Sequence, residues 1–299
     1  MINIATSWGP EKTPRVIRYL ILLTVLLTLF AALTDRLFIY FFGAPGPQEL
    51  LSLSWLGLLN YYYWQPITYF FIQKGMEGID LSFLISLTFN MYILWVFGTM
   101  VYERTGAVRF LGLYLITGIL TGICTLLMMP IIGSYAVLAG SSAVLLSVFT
   151  VWAMYYPEND LLLFFLFPVT PRWLLGGVIA TICLVTFSEL DVISFFFYAF
   201  ALLWGYLYGL LLLNLKSPYQ FTWSFDQAVL RLKQQLLRLD SHESKIIDIT
   251  TRETWNDDET FMDEMLTKIS KYGETALTHR ERQRMQQISE RKMKEKEGE

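Results

Sequence analysis

The chain has 299 residues, of which 54% are hydrophobic, 16% aromatic and only 16% charged, too apolar a balance for a soluble domain of that size, so the bilayer is its solvent. A formal net charge of -3 excludes the basic surface that nucleic-acid binding requires, and no nucleic-acid partner is expected. The two cysteines, Cys124 and Cys183, fall inside apolar runs as small packing residues; neither a disulfide nor a metal site is expected, and no cofactor.

A membrane span needs roughly 20 mostly apolar residues. The first candidate is Val16–Phe42. Basic residues followed by an apolar run over Lys12–Leu33 resemble a signal peptide, but the continuation through Leu37–Phe42 and the later spans point to an uncleaved signal anchor. The adjacent Asp35 and Arg36 point in different directions on that helix and are expected near its outer interface. The long loop Gly43–Asp80 is dense in Trp, Tyr, Phe and Leu yet interrupted by Asn60, Gln65, Pro66 and Gly75. It is expected to lie in the interface and not to cross.

Five further spans follow at Leu81–Met100, Val108–Met129, Ala136–Tyr155, Trp173–Phe187 and Val192–Leu213, the fifth of the six being short. Lys12, Arg15 and Arg18 precede the first span, Arg104 and Arg109 lie between the second and third, Arg172 precedes the fifth and Lys216 follows the sixth. All fall on one side, whereas Pro130–Tyr135 and Ser188–Asp191 carry no Lys or Arg and the first loop only Lys74. The positive-inside rule therefore puts both termini in the cytoplasm.

After Pro218 the composition turns polar. Phe225–Leu239 repeats apolar residues at helical spacing and reads as an amphipathic helix, on the membrane surface or against a partner helix. Asp240–Glu259 reads as a linker. Thr260–Lys271 reads as a helix closed by Gly273, and Thr278 with Glu281 forms a capping box opening a helix to about Lys294. The fold class is thus all-α: a polytopic bundle of six transmembrane helices plus a small C-terminal cytoplasmic helical hairpin. Its segments are an N-terminal cytoplasmic stretch (1–15), a membrane domain (16–215), an amphipathic helix with linker (216–257) and the hairpin tail (258–299). The tail shows no metal-ligand pattern and reads as a docking or regulatory element, with a cytoplasmic partner, and not as a catalytic one.

Four pieces of the membrane region, in order, carry a family pattern. WQPITYFF from Trp64, with Gln65 and Thr68, resembles a first-loop signature. SLTFNMYILWVFGTMVYERTG, from Ser86 to Gly106, resembles a second helix with a polar pair one turn apart. GSSAVLLSVFTVWAMYY from Gly140 resembles the fourth helix with its Gly-x-Ser, and GYLYG from Gly205 resembles the close-packing glycines, Gly205 and Gly209, of the sixth. In these features the chain resembles the rhomboid family of intramembrane serine proteases, and residues 262–292 resemble a module that follows the membrane core in a subset of bacterial members. The resemblance implies a six-helix rhomboid fold in a bacterial inner membrane, among lipids and transmembrane segments of substrates or clients. It places Ser142 at the nucleophile position and Asn90, with Ser86 where the family often has histidine, at the oxyanion position.

Family chemistry uses a histidine on the sixth helix to take the serine proton, because a serine hydroxyl is a poor nucleophile without a base. Here the two histidines, His242 and His279, both lie in the tail. Two registers of the sixth helix put either Tyr198 or Leu202 at the histidine position. No lysine lies in the second to sixth spans to replace the base, and Gly140-Ser141-Ser142-Ala143 has alanine where the family has glycine. Three functions are open to such a chain: a catalytically impaired rhomboid-like protein that binds transmembrane segments of clients; an active intramembrane serine endopeptidase using Ser142 with an unconventional base; and a transporter or channel, which the scarcity of ionisable residues in the later spans disfavours.

Overall fold

A computed structural model describes residues 10, 12–73, 79–157, 161–163, 167–217, 219, 222–243, 258–273 and 277–297. Lys74, most of the expected linker, the first nine residues and the side chain of His242 lie outside the described parts. The chain divides into two units, Met1–Lys233 and Gln234–Glu299.

The first unit opens with α1 (Arg15–Phe42), an uninterrupted apolar helix that ends at Gly43 in the left-handed region. The first loop then folds into short pieces: α2 (Pro47–Leu51), β1 (Leu53–Ser54), α3 (Trp55–Leu59), α4 (Gln65–Thr68) and a 3-10 turn over Tyr69–Phe71. Asp35 accepts from the Gln48 N–H at 3.0 Å, so the acidic residue near the end of α1 satisfies an orphan donor at the start of α2. The Cα of Gly46 lies so near the Asp35 carboxylate that a side chain there would displace it.

Next come α5 (Leu81–Ile93), a π turn over Leu94–Gly98, and α6 (Thr99–Thr105), which together form one long helix. They are followed by α7 (Ala107–Ile132), β2 (Val137–Leu138), α8 (Ser142–Tyr155), a hairpin of β3 (Leu161–Leu163) with β4 (Phe167–Val169), α9 (Pro171–Ser188) and α10 (Val192–Leu211). Among the described residues, five helices are long and apolar enough to cross a membrane: α1, the α5–α6 helix, α7, α9 and α10.

The fourth expected span, Ala136–Tyr155, differs from its prediction. Its first residues are not helical: Val137–Leu138 pair antiparallel with Leu53–Ser54, and Gly140 turns with φ +126° before α8 begins at Ser142. The remaining helix has 14 residues and rises about 21 Å, less than the roughly 30 Å hydrocarbon core. Every residue from Ala143 to Met154 is buried, so α8 is the bundle's central element, as a helix apolar all round must be. Non-helical backbone ahead of Ser142 is accommodated because the first loop covers and pairs with it.

α10 packs along both α7 and α8. One end of the bundle gathers the basic residues expected on a single side. Arg104 Nε donates to the Tyr156 hydroxyl at 2.9 Å just past α8, and Tyr208 donates to the Arg109 carbonyl at 2.8 Å. Tyr219 donates to the Arg172 carbonyl at 2.7 Å, and Trp95 Nε1 donates to Thr13 Oγ1 at 2.8 Å. Ser142 stands at the opposite end of α8. After α10 the chain forms α11 (Trp223–Glu243), longer at both ends than the predicted Phe225–Leu239.

The second unit contains α12 (Asp258–Tyr272) and α13 (His279–Glu297), packed through Phe261, Met265 and Ile288. Gly273, with φ +81°, follows α12. Thr278 and Glu281 make the reciprocal cap: the Thr278 N–H donates to Glu281 Oε2 at 2.7 Å, and the Glu281 N–H donates to Thr278 Oγ1 at 3.4 Å.

Candidate functional site

The site is built around the start of α8. Gly140 donates its N–H to the Tyr69 carbonyl at 3.0 Å, which ties the turn before Ser142 to the first loop. Ser141 and Ser142 open the helix; Ser141 is buried with no hydrogen-bond partner for its hydroxyl among the described residues, whereas Ser142 is half-buried.

The Ser142 Oγ lies 3.4 Å from the Tyr198 hydroxyl, in hydrogen-bonding contact. Tyr198 is on the second turn of α10, and the other residue considered for this position, Leu202, packs with the hydrophobic core one turn further on. The alignment of the two helices follows from Gly205. A Cβ built there would lie 2.7 Å from the Ser147 Cα and 2.8 Å from its carbonyl oxygen, a backbone approach that only glycine permits. Ser147 Oγ donates to the Ala201 carbonyl at 2.7 Å in the same interface, and Gly209 leaves room for Met154 one turn on. These contacts bring Tyr198 level with Ser142.

Asn90, on α5, is buried, and its Nδ2 donates to Gln73 Oε1 at 3.1 Å. Gln73 Nε2 in turn donates to the Ser86 hydroxyl at 2.7 Å, and the Gln73 N–H donates to Thr28 Oγ1 of α1 at 3.1 Å. A Cβ at Gly140 would stand 3.5 Å from Gln73 Oε1 and 3.8 Å from Ser142 Oγ, so Gly140 has the carboxamide on one side and the hydroxyl on the other. Ser86, Asn90, Gln73, Gly140, Ser142 and Tyr198 therefore gather into one polar cluster inside an apolar bundle. Gln73 is the member that sequence reasoning missed.

Trp64, Gln65 and Thr68 act within the first loop. Trp64 Nε1 donates to the Leu50 carbonyl at 3.0 Å, Gln65 Oε1 accepts from the Ser54 N–H at 3.1 Å, and Thr68 Oγ1 donates to the Leu51 carbonyl at 2.9 Å. Each satisfies backbone groups that the irregular loop would otherwise leave unpaired. Gly57 lets the Gln65 carboxamide lie against its backbone. The loop is held onto the bundle by the Tyr69 hydroxyl, which donates to the Gly118 carbonyl at 2.8 Å, and by Gly118 and Gly122, which leave room for Phe70 and Tyr69.

Chemically the cluster offers two aliphatic hydroxyls, a phenol and two carboxamides. All of these donate and accept hydrogen bonds, and none is a base at neutral pH. A family model described as Rhomboid domain matches residues 61–215, just over half of the chain and every residue of this cluster. No curated protein matches the chain.

Proposed function

We propose that this chain, which belongs to the rhomboid family, is a catalytically impaired member that uses its membrane fold to bind transmembrane segments of client proteins. One observation carries the reading: the group in contact with the Ser142 hydroxyl is the Tyr198 phenol, and both histidines of the chain fall outside the matched region. With no base to take its proton, a serine does not attack a peptide bond at a useful rate. Loss of a catalytic base or nucleophile costs about a million-fold in turnover in a well-studied soluble serine protease. The scaffold that would receive a transmembrane segment, with its packing glycines and ordered first loop, is retained.

In this reading the basic end of the bundle and both termini face the cytoplasm, by the positive-inside rule. The tail hairpin is the module of a subset of bacterial members, it docks a cytoplasmic partner, and the membrane is a bacterial inner membrane. Ser142 and Tyr198 then sit toward the opposite face.

A second reading has one specific observation in its favour. The Ser142 and Tyr198 hydroxyls touch, and the Asn90 amide stands nearby to serve an oxyanion, so the chain would be an intramembrane serine endopeptidase with an unconventional proton acceptor. Reaction of the detergent-solubilised protein with a fluorescent fluorophosphonate separates the two. No labelling above the Ser142→Ala background, beside a labelled active rhomboid, is the expected result. Labelling that Ser142→Ala abolishes would overturn the client-binding reading in favour of the protease.

A further inference from the structure

We infer that α11 is a lipid-immersed foot: the stripe Phe225, Val229 and Leu232 lies in the interfacial layer of the bilayer, held there by a two-point clamp on the end of α10. This goes beyond the client-binding reading and does not depend on it.

The clamp comes first. Asp226 is buried, accepts from the Tyr206 hydroxyl, and accepts from the Ser217 N–H at 3.4 Å. Two turns on, the Lys233 ammonium donates to the Leu211 carbonyl and to Asn214 Oδ1, the latter at 3.2 Å. A cation on the last carbonyls of α10 satisfies an orphan acceptor and offsets the negative end of the helix dipole. Asp226 and Lys233 are seven residues apart and so share one side of α11, which fixes the rotation of the helix about its axis.

Depth follows from the partners. Tyr206 lies five residues inside the end of α10, about 7.5 Å back along a helix long and apolar enough to cross the membrane. Phe225 packs on the Tyr206 ring with centroids 6.2 Å apart, and so sits at that same level. Yet Phe225 is 50% exposed and Leu232 is 58% exposed. With Val229 they recur at i, i+4 and i+7 and make a continuous apolar stripe, while Gln227 and Arg231 lie on the other side. An exposed apolar stripe that runs from the level of Tyr206, inside a membrane span, to the end of that span at Leu211 is covered by lipid, and the flanking polar residues reach the headgroups. The occupant is therefore the bilayer and not a protein helix.

Nitroxide scanning tests this on the full chain. Single cysteines at positions 225, 227, 231 and 232, in a Cys124→Ala, Cys183→Ala background, are spin-labelled and reconstituted into phosphatidylcholine–phosphatidylglycerol vesicles. Collision rates with oxygen and with a water-soluble nickel chelate are then compared. Labels at 225 and 232 are expected to favour oxygen several-fold, and labels at 227 and 231 to favour nickel. Equal nickel access at all four positions would overturn the inference, because the stripe would then face water. Protection of 225 and 232 from both reagents would also overturn it, because protein would cover them. Leu232 keeps the test valid if a label at 225 disturbs the Tyr206 contact.

Discussion

Replacing Gly205 by alanine should destabilise the membrane unit more than any other single methyl added to α9 or α10. The added Cβ would meet the Ser147 Cα at 2.7 Å, its carbonyl oxygen at 2.8 Å and its Cβ at 3.0 Å, whereas ordinary contact begins near 3.4 Å. Two of those three atoms are backbone and cannot rotate away, so α8 and α10 must separate by about 0.7 Å. Overpacking of this kind costs about 1–3 kcal/mol. The separation also stretches the 2.7 Å bond from Ser147 Oγ to the Ala201 carbonyl. Interhelical hydrogen bonds of that kind average about 0.6 kcal/mol in a membrane. The sum, about 2–4 kcal/mol, corresponds to a fall in midpoint of about 5–12 °C for a unit of this size. Thermal unfolding in detergent, followed by tryptophan fluorescence at one scan rate, measures it. Gly177→Ala is the control, since a Cβ there meets nothing within 4 Å, and it should melt with the parent or slightly above it. A Gly205→Ala protein that melts within about 1 °C of the parent would refute the close approach, and with it the alignment that sets Tyr198 beside Ser142.

Gln73→Ala removes the acceptor for the Asn90 amide and the donor to Ser86, two bonds from the first loop to α5 that, at the strength of interhelical bonds in a membrane, are together worth about 1–2 kcal/mol, and should lower the same midpoint by about 3–6 °C. Gln73→Glu keeps the acceptor and should fall between; an alanine variant that melts like the parent would mean that Gln73 does not organise the cluster. In the tail, the bond from Lys268, followed by those from Thr278, holds the Glu281 carboxyl down at about 2. A carboxylate depressed on folding contributes stability that is fully present above its ordinary value and is lost as the pH falls through about 2. The carbonyl-carbon NMR shift of Glu281 should therefore titrate with a midpoint near 2 in the full chain, and Lys268→Ala should move it up toward the ordinary carboxylate range. An unchanged midpoint in that variant would assign the shift to the Thr278 cap alone.

How much of this was legible in the sequence depended on whether a feature is carried by a run of residues or by a meeting of distant ones. The apolar runs announce α1, α7 and α10, and the capping box of Thr278 and Glu281 spans only four residues, so both can be read along the chain. The start of α8 could not be read in this way. Hydropathy runs on through Ala136–Gly140, and only the pairing of Leu53–Ser54 with Val137–Leu138, strands of two residues contributed by segments more than eighty apart, turns that run out of helix. Gln73 was passed over for the same reason, because the residues it joins, Thr28, Ser86, Asn90 and Gly140, share no spacing with it. Tyr198 and Leu202 are one helical turn apart and present nearly the same face, so a pattern alone leaves both open; the steric fit of Gly205 on Ser147 is what puts the phenol, and not the leucine, against the serine. The missing base is different in kind. A histidine absent from residues 61–215 is absent in every register and every fold of that segment, whatever its geometry. The geometry supplies the other half, by showing what the Ser142 hydroxyl meets in place of an imidazole.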